Sequence, residues 1–455
     1  RALVLDGKGR LLAQQQVPVS LTRPRPDRAE QDGAEILASV QRCVSGVLGS
    51  LPARQRDAIR CCGITTQRST VLAWRPDGTP VCPAINWQDT RGAPQLGALH
   101  TRADAVRRIS GLPLSAHYGA SKLHFLHQLF PDPDLHLGPL AAFLVNRLSD
   151  GEVFAIDHTN AQRMQLFDIA ALDWSHSLCD WFDVPRERLP ACLPVRADYG
   201  CIDDGKIPVT AVCGDQNAAW FGAGAAADGR VLVNLGSGAF VMARQQGETR
   251  VPGLLTSIVD SDAAHHEYVA EGTVNGAGNA LLWLQGEYAL PDIESQLSLW
   301  MQQASEPPVF LNTVGGLGSP WWRQGLQPRF ADNTDHLGHA DLAAGVAESI
   351  LFLVQYNIEC LRQQQPVQQL RVSGGLSRVD ALCQKLANLS NCPVQRADDR
   401  EASARGVAWL AAGRPRDWSA AHTHYFTPLA DKPLETRYRR FLEHLRQYIE
   451  TNAHA

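Results

Sequence analysis

Val209-Thr210-Ala211-Val212-Cys213-Gly214-Asp215-Gln216-Asn217-Ala218-Ala219 is an apolar run that breaks into a carboxylate, two amides and a string of small residues. The run reads as a buried strand, and residues 214–219 as a turn into a helix. The end of a strand is where α/β proteins gather ligand groups. Asp215 at that position could accept a proton from a substrate hydroxyl. An aspartate capping a helix N-terminus is the competing explanation.

C-terminal to this stretch, residues 231–235 read as a second buried strand, Gly236-Ser237-Gly238 as a tight turn, and 239–243 as the partner strand. Two glycines around a hydroxyl residue let backbone N–H groups converge on an anion, although a plain hairpin turn has the same pattern. Leu342, Val346, Ile350, Leu353 and Ile358 mark a long amphipathic helix over 341–361. A strand at 370–372 then meets Ser373-Gly374-Gly375, where a flat base or a phosphate could approach the backbone closely. A simple βα turn is the alternative there. Val379, Leu382, Leu386 and Leu389 mark one further helix, and Leu434, Tyr438, Phe441, Leu445 and Tyr448 the last.

N-terminal to the opening stretch, Ala2–Leu5 ends in the turn signal Asp6-Gly7, and a second strand follows near Leu11 and Leu12. A helix fits 34–48, with Asp32 as N-cap and Ile36, Val40, Val44 and Val47 on one face. Apolar segments follow around Ile64 and at Val71–Trp74. Thr66-Gln67-Arg68-Ser69 and Trp87-Gln88-Asp89-Thr90-Arg91 carry groups suited to a hydroxyl-rich ligand. Gln67 and Arg68 could bond hydroxyls and Trp87 could pack on a carbon chain, unless Arg68 is tied to Asp89 in a structural ion pair. Proline-rich, polar sequence near 185–210 separates two halves, each opening on a strand hairpin and continuing into strands and helices. That is an α/β pattern, divided here into domains 1–207 and 208–455.

The 455 residues allow two large domains or three smaller ones. A hydrophobic share of 44% and a charged share of 20% exclude a mostly disordered chain. A net charge of −5 is a poor basis for nonspecific nucleic-acid binding, so no nucleic-acid partner is expected. The 11 cysteines are scattered and form no CxxC, which suits reduced thiols in a cytoplasmic protein. No apolar run reaches the roughly 18 residues of a membrane helix, and no signal peptide is visible, the chain opening on Arg1. Neither a GxxxxGK[ST] loop nor a GxGxxG fingerprint occurs. His265-His266-Glu267 offers metal-binding residue types, but neighbours on a strand point to opposite faces. His422 and His424 read as surface loop residues.

Taken in order, these segments resemble the FGGY family of carbohydrate kinases. The resemblance runs through Thr66-Gln67-Arg68, Trp87-Gln88-Asp89-Thr90-Arg91, Gly111-Leu112-Pro113 with Ser121-Lys122, Asp157 with Thr159-Asn160-Ala161, and the 214–219 stretch. It continues through Gly236-Ser237-Gly238, Glu271-Gly272 with Gly278 and Trp283, Gly316-Leu317-Gly318-Ser319-Pro320, Gly374-Gly375 and Glu401-Ala402. The ordered set is specific where each member alone is weak, and it looks most like the glycerol kinase branch.

The resemblance implies two actin-like, ribonuclease-H-like domains, a sugar-binding 1–207 and a nucleotide-binding 208–455. It implies ATP-dependent phosphorylation of a small sugar or polyol hydroxyl, with Mg²⁺. Asp215 matches the family's catalytic base and would also serve the metal. Gln67, Arg68, Trp87, His117 and Gln216 join Asp215 at the matched substrate positions. Gly236, Ser237, Gly238, Gly278, Gly374 and Gly375 match the nucleotide positions. A homodimer stays open.

Four departures matter. The family's first Asp-x-Gly-Thr loop would lie before Arg1. Ser69 stands where the glycerol branch carries a glutamate, and His117 where it carries a tyrosine. Leu282 replaces a glutamine of that branch, on the nucleotide side. A ketose or another polyol is therefore expected in place of glycerol. A catalytically silent sugar sensor on the same fold and an actin-like ATPase are the competing readings.

Overall fold

The computed structural model describes residues 1–225, 228–245, 250–397, 401–418 and 423–452. The chain forms two compact units. Unit 1 comprises Arg1–Ala226, Ser257–Tyr268 and Glu401–Ala420, and unit 2 comprises Ala227–Thr256, Val269–Arg400 and Ala421–Ala455. His422 lies outside the described residues.

In unit 1, β1 (Ala2–Leu5) and β2 (Leu11–Gln15) form the expected hairpin. The Asp6 carboxylate closes its turn by accepting the N–H groups of Lys8 and Arg10. Helix α1 (Gly33–Ser50) starts on Asp32, whose side chain accepts from the N–H groups of Ala34 and Glu35. Ile36 and Val47 are buried in the core, with Val40 and Val44 packed beside them.

Next come β3 (Cys62–Thr66) and β4 (Val71–Trp74), separated by residues 67–70. Helix α2 (Gly119–Leu129), β5 (Ala155–Asp157), α3 (His158–Gln162), β6 (Ile207–Gly214) and α4 (Asp215–Ala219) follow. β6 lies parallel to β3, with Cys213 opposite Thr65 and Gly214 opposite Thr66. A parallel strand covered on both faces needs a near-continuous apolar sequence, which is the reason 209–213 reads as one.

Helix Ala402–Ala411 covers this pair. Its closeness depends on glycine: a Cβ at Gly406 would sit 1.7 Å from the Ala218 carbonyl oxygen, and one at Gly63 would sit 2.6 Å from that of Val407. Residues 208–226, grouped with the second half on sequence, stand in unit 1 because β6 is hydrogen-bonded into this sheet beside β3.

Unit 2 is built on β7 (Arg230–Leu235) and β8 (Ala239–Arg244), an antiparallel pair joined by Gly236-Ser237-Gly238. In chain order β9 (His266–Val274, in unit 2 from Val269), α5 (Gly278–Glu287), α6 (His339–Arg362), β10 (Gln369–Ser373), α7 (Asp380–Ser390), β11 (Val394–Ala397), β12 (Thr423–Phe426) and α8 (Lys432–Thr451) follow. Within a seven-stranded sheet, β9-β8-β7-β10-β11-β12 are neighbours in that order, and β10 is parallel to β7 with Ser373 opposite Asn234. Leu342, Val346, Ile350, Leu353 and Ile358 of α6 are all buried, as their spacing requires.

Glu348 is 1% exposed on α6, and is held there by Lys385 and by Nε and Nη2 of Arg437. His424, expected on a loop, is exposed on the edge strand β12.

Candidate active site

The register of β3 and β6 brings two chain segments out of the sheet side by side. Thr66 is paired with Gly214, so Gln67 and Arg68 leave one strand where Asp215 and Gln216 leave the other. Arg68 lies across Gly214, where a Cβ would come within 2.7 Å of Arg68 Cδ. Its Nη1 donates to Asn217 Oδ1 at 2.8 Å, and its Nε is 3.8 Å from Asp215 Oδ1. Asn217 is in turn fixed, its amide donating to the Ile258 carbonyl at 2.5 Å.

The expected competitor, an ion pair between Arg68 and Asp89, is replaced by another arrangement. Asp89 is fully buried and bonded to Arg91 and to the Ala29 N–H. Asp215 begins α4, with Oδ1 accepting the Gln216 N–H at 2.7 Å and its own carbonyl accepting from Ser403. The expected N-cap role falls instead to Gly214, and the Asp215 side chain keeps 37% exposure beside an Arg68 side chain that is 8% exposed.

Behind both strand ends sits a buried polar hub. Asp157 is wholly buried as the N-cap of α3 and accepts from the backbone N–H groups of Thr159 and Asn160. It also takes the Thr159 hydroxyl, and the Asn160 amide at 2.6 Å. Thr159 Oγ1 then accepts the Gly214 N–H at 2.8 Å, and Asn160 Oδ1 accepts the Thr66 hydroxyl at 3.4 Å. One carboxyl therefore braces the residue before Asp215 and the residue before Gln67. Burial pushes that carboxyl up to about 6, against hydrogen bonds from Thr159 and Asn160 that pull it down.

The remaining expected substrate residues divide between accessible and engaged. Trp87 is half-buried, its N–H on the Thr70 hydroxyl at 3.1 Å, and His117 is exposed and packs edge-on to it at 5.8 Å between ring centroids. Gln67 turns toward an amide cluster, donating to Gln31 Oε1 at 2.6 Å, while Asn86 donates to the same oxygen at 2.8 Å. Ser69 is 1% exposed with φ +62°, and its hydroxyl has no hydrogen-bond partner among the described residues. Gln31, Asn86, Asn217 and the bracing role of Asp157 escaped the sequence reading. Only Asn217, two residues after Asp215, carried a local signal.

Unit 2 presents a different kind of strand end. The β7–β8 turn is stitched to the start of α5: the Gly236 carbonyl accepts the Gly278 N–H at 2.9 Å, and the Ser237 carbonyl accepts those of Ala277 and Asn279. Gly238 backs onto the Val274 carbonyl, where a Cβ would come to 2.9 Å. At the adjacent end of β10, Gly374 has φ +91°, and a Cβ there would meet the Leu235 carbonyl oxygen at 2.5 Å. A Cβ on Gly375 would face open space. Leu282 of α5 is 61% exposed.

Among the described residues no group of three or more His, Cys, Asp or Glu side chains could hold a metal ion. Mg²⁺ does not require one, since it keeps several waters and binds through one or two carboxylates plus substrate phosphates. The partly exposed Asp215 carboxylate is a donor of that type, so the residues present fit a magnesium ion carried by phosphate. Among the described residues no helix is long and apolar enough to cross a membrane.

Comparison with known proteins gives a consistent result. Residues 1–222 match the N-terminal domain of the FGGY family of carbohydrate kinases, and residues 231–413 match its C-terminal domain. A glycerol kinase of Synechocystis sp. is 31% identical over 452 residues, covering 94% of this chain and 90% of the relative. Among solved structures, Plasmodium falciparum glycerol kinase with ADP superposes with a TM-score of 0.85 at 22% identity, over 99% of this chain and 95% of that one. Gluconate kinase from Lactobacillus acidophilus gives 0.86 at 17% identity, over 100% and 96%.

Proposed function

Because the chain belongs to the FGGY family of carbohydrate kinases, and is thereby a phosphotransferase with an alcohol acceptor, we propose that it phosphorylates one hydroxyl of a ketose or of a polyol other than glycerol, with ATP as donor and Asp215 as general base. The observation that carries the reading is the pairing of Gly214 with Thr66. It sets a partly exposed carboxylate beside an arginine that Asn217 holds in place.

The acceptor hydroxyl would donate its hydrogen bond to Asp215. As the acceptor oxygen forms its bond to the γ-phosphorus, the bond from that phosphorus to the bridging oxygen breaks and ADP leaves. The hydroxyl proton ends on the Asp215 carboxylate. Such general-base help is typically worth about 10²–10⁴ in rate, with positioning and charge neutralisation supplying most of the rest. Arg68 and Gln216 border the same carboxylate, and Trp87 with His117 offers an aromatic face for the acceptor's carbon chain. ATP is assigned to the backbone of Gly236, Ser237, Gly238, Gly278, Gly374 and Gly375. Magnesium held by Asp215 and the phosphates would neutralise charge on the donor.

Ser69 and His117 replace a carboxylate and a phenol of the glycerol branch, which changes the donors and acceptors available to the substrate. Sites built around particular hydroxyls discriminate strongly against substrates that leave those groups unpaired. The test is a screen of pentuloses, heptuloses and short polyols for ADP release by the wild-type chain. Release that depends on one ketose or non-glycerol polyol supports the reading. Turnover of ATP indifferent to every acceptor would favour an ATPase, and ATP binding with no turnover a sensor.

A further inference from the structure

Lys122, in α2, is the one lysine sealed in the core of unit 1 among the described residues, and its side chain reaches no carboxylate there. Its Nζ instead faces four backbone carbonyl oxygens: Ser69 at 3.1 Å, Asn86 at 3.2 Å, Trp87 at 3.2 Å and His117 at 2.9 Å. These carbonyls come from three separate loops. One carries Gln67 and Arg68 and joins β3 to β4. The second carries Asn86 and Trp87. The third carries His117 and leads into α2.

We propose that Lys122 is the positioning residue of the acceptor subsite, a clasp whose ammonium holds these three loops in one arrangement. The inference rests on the sugar-kinase reading for its kinetic consequence but not for its geometry. An ammonium has three protons and no acceptor, so it can serve all four carbonyls with one proton shared between two of them. A neutral amine has only two protons and turns a lone pair toward at least one carbonyl. The clasp therefore requires the charged form.

Burial makes that form costly, pushing Lys122 down to about 7 from its ordinary range. Two charges act on it through space: Asp89 favours the ammonium and Arg91 opposes it. Both lie on the Trp87 loop and are bonded to each other. Arg68, His117 and Tyr118 are the remaining titratable or charged groups on the loops it holds.

Two consequences have opposite signs, and this separates positioning from a merely structural role. A lysine whose folded pKa is depressed destabilises the fold while charged. Its contribution to stability therefore improves as pH rises from about 7 toward the ordinary lysine range near ~10.4. The clasp loosens over the same rise. Acceptor KM should thus worsen with pH where this contribution to stability improves.

The test uses the full chain, wild type and Lys122→Met, with D-xylulose and glycerol as probe acceptors and hydrogen exchange read by mass spectrometry. Lys122→Met should raise exchange in segments 67–70, 86–88 and 115–118 and raise the KM of a phosphorylated probe at least about tenfold, since small misplacements at a reacting centre can cost about 10². The KM for ATP should stay within about twofold, because ATP is assigned to another unit. In the wild type the probe KM should rise above about pH 7. A folded Lys122→Met chain with unchanged exchange in all three segments overturns the clasp. So does a wild-type probe KM that stays level from about pH 6 to about pH 9. If Lys122→Met does not fold, the wild-type pH series decides. If neither probe is phosphorylated, the acceptor found by the screen takes their place in the kinetic series, and the exchange data decide the clasp without it.

Discussion

The two units each expose the C-terminal ends of a parallel strand pair, and they furnish those ends in opposite ways. In unit 1 the ends of β3 and β6 carry Gln67, Arg68, Asp215 and Gln216, braced from behind by the buried Asp157 hub. In unit 2 the ends of β7 and β10 carry glycines, and the contacts there are made by backbone carbonyls and N–H groups. The first arrangement can discriminate among hydroxyls and move a proton. The second suits a ligand whose phosphates or flat base come against main chain. Removing a side chain should therefore hurt unit 1, whereas adding one should hurt unit 2.

The largest effect is expected at Asp215. Asp215→Asn should lower kcat by about 10²–10⁴ while ATP binding, measured by calorimetry, and the melting temperature stay near wild type. Near-normal turnover in this variant would break the contrast at its strongest point.

Gly374→Ala comes next. It must place a Cβ about 2.5 Å from the Leu235 carbonyl at φ +91°, and it should cost about 1–3 kcal/mol in denaturant unfolding and weaken ATP binding. Its neighbour is the control: Gly375→Ala meets open space and should change stability by no more than about 0.5 kcal/mol. Equal stability losses at both positions would mean that the close approach at Gly374 is not what requires glycine.

At Asp157 the expected effect is one of pH dependence. A carboxyl raised to about 6 binds its proton more tightly in the folded chain than in the unfolded one. Its contribution to stability is full below the ordinary carboxyl range near ~3.9 and is lost as pH rises to about 6. The unfolding free energy of wild type minus that of Asp157→Asn should fall through this window and level off above it. A flat difference would show that the hub is not titrating there.

Legibility from sequence followed the range of the interactions. Helix α6 and the strands β6 and β7 could be read directly, because their buried residues repeat at fixed spacing or run uninterrupted. The place of Asp215 at a strand end could be read because its strand, turn and helix lie within a dozen residues. Gln67 was identified but not its engagement with Gln31 and Asn86, which depends on pairing between strands far apart in sequence. Lys122 and Asp157 appeared only as members of family motifs, since nothing local tells a buried lysine under four carbonyls from one on a surface. The placement of 208–226 turned on which sheet takes β6, and that is set by its pairing with β3, Gly214 opposite Thr66 148 residues earlier.

The central claim is that ATP's terminal phosphoryl group is transferred to an alcohol. The most direct measurement is the stoichiometry of a single reaction with the acceptor found by screening, quantifying ADP, free phosphate and phosphorylated acceptor by mass spectrometry. Phosphorylated acceptor formed in step with ADP, with little free phosphate, is the expected result. ADP accompanied by an equal amount of free phosphate and no phosphorylated acceptor would contradict it.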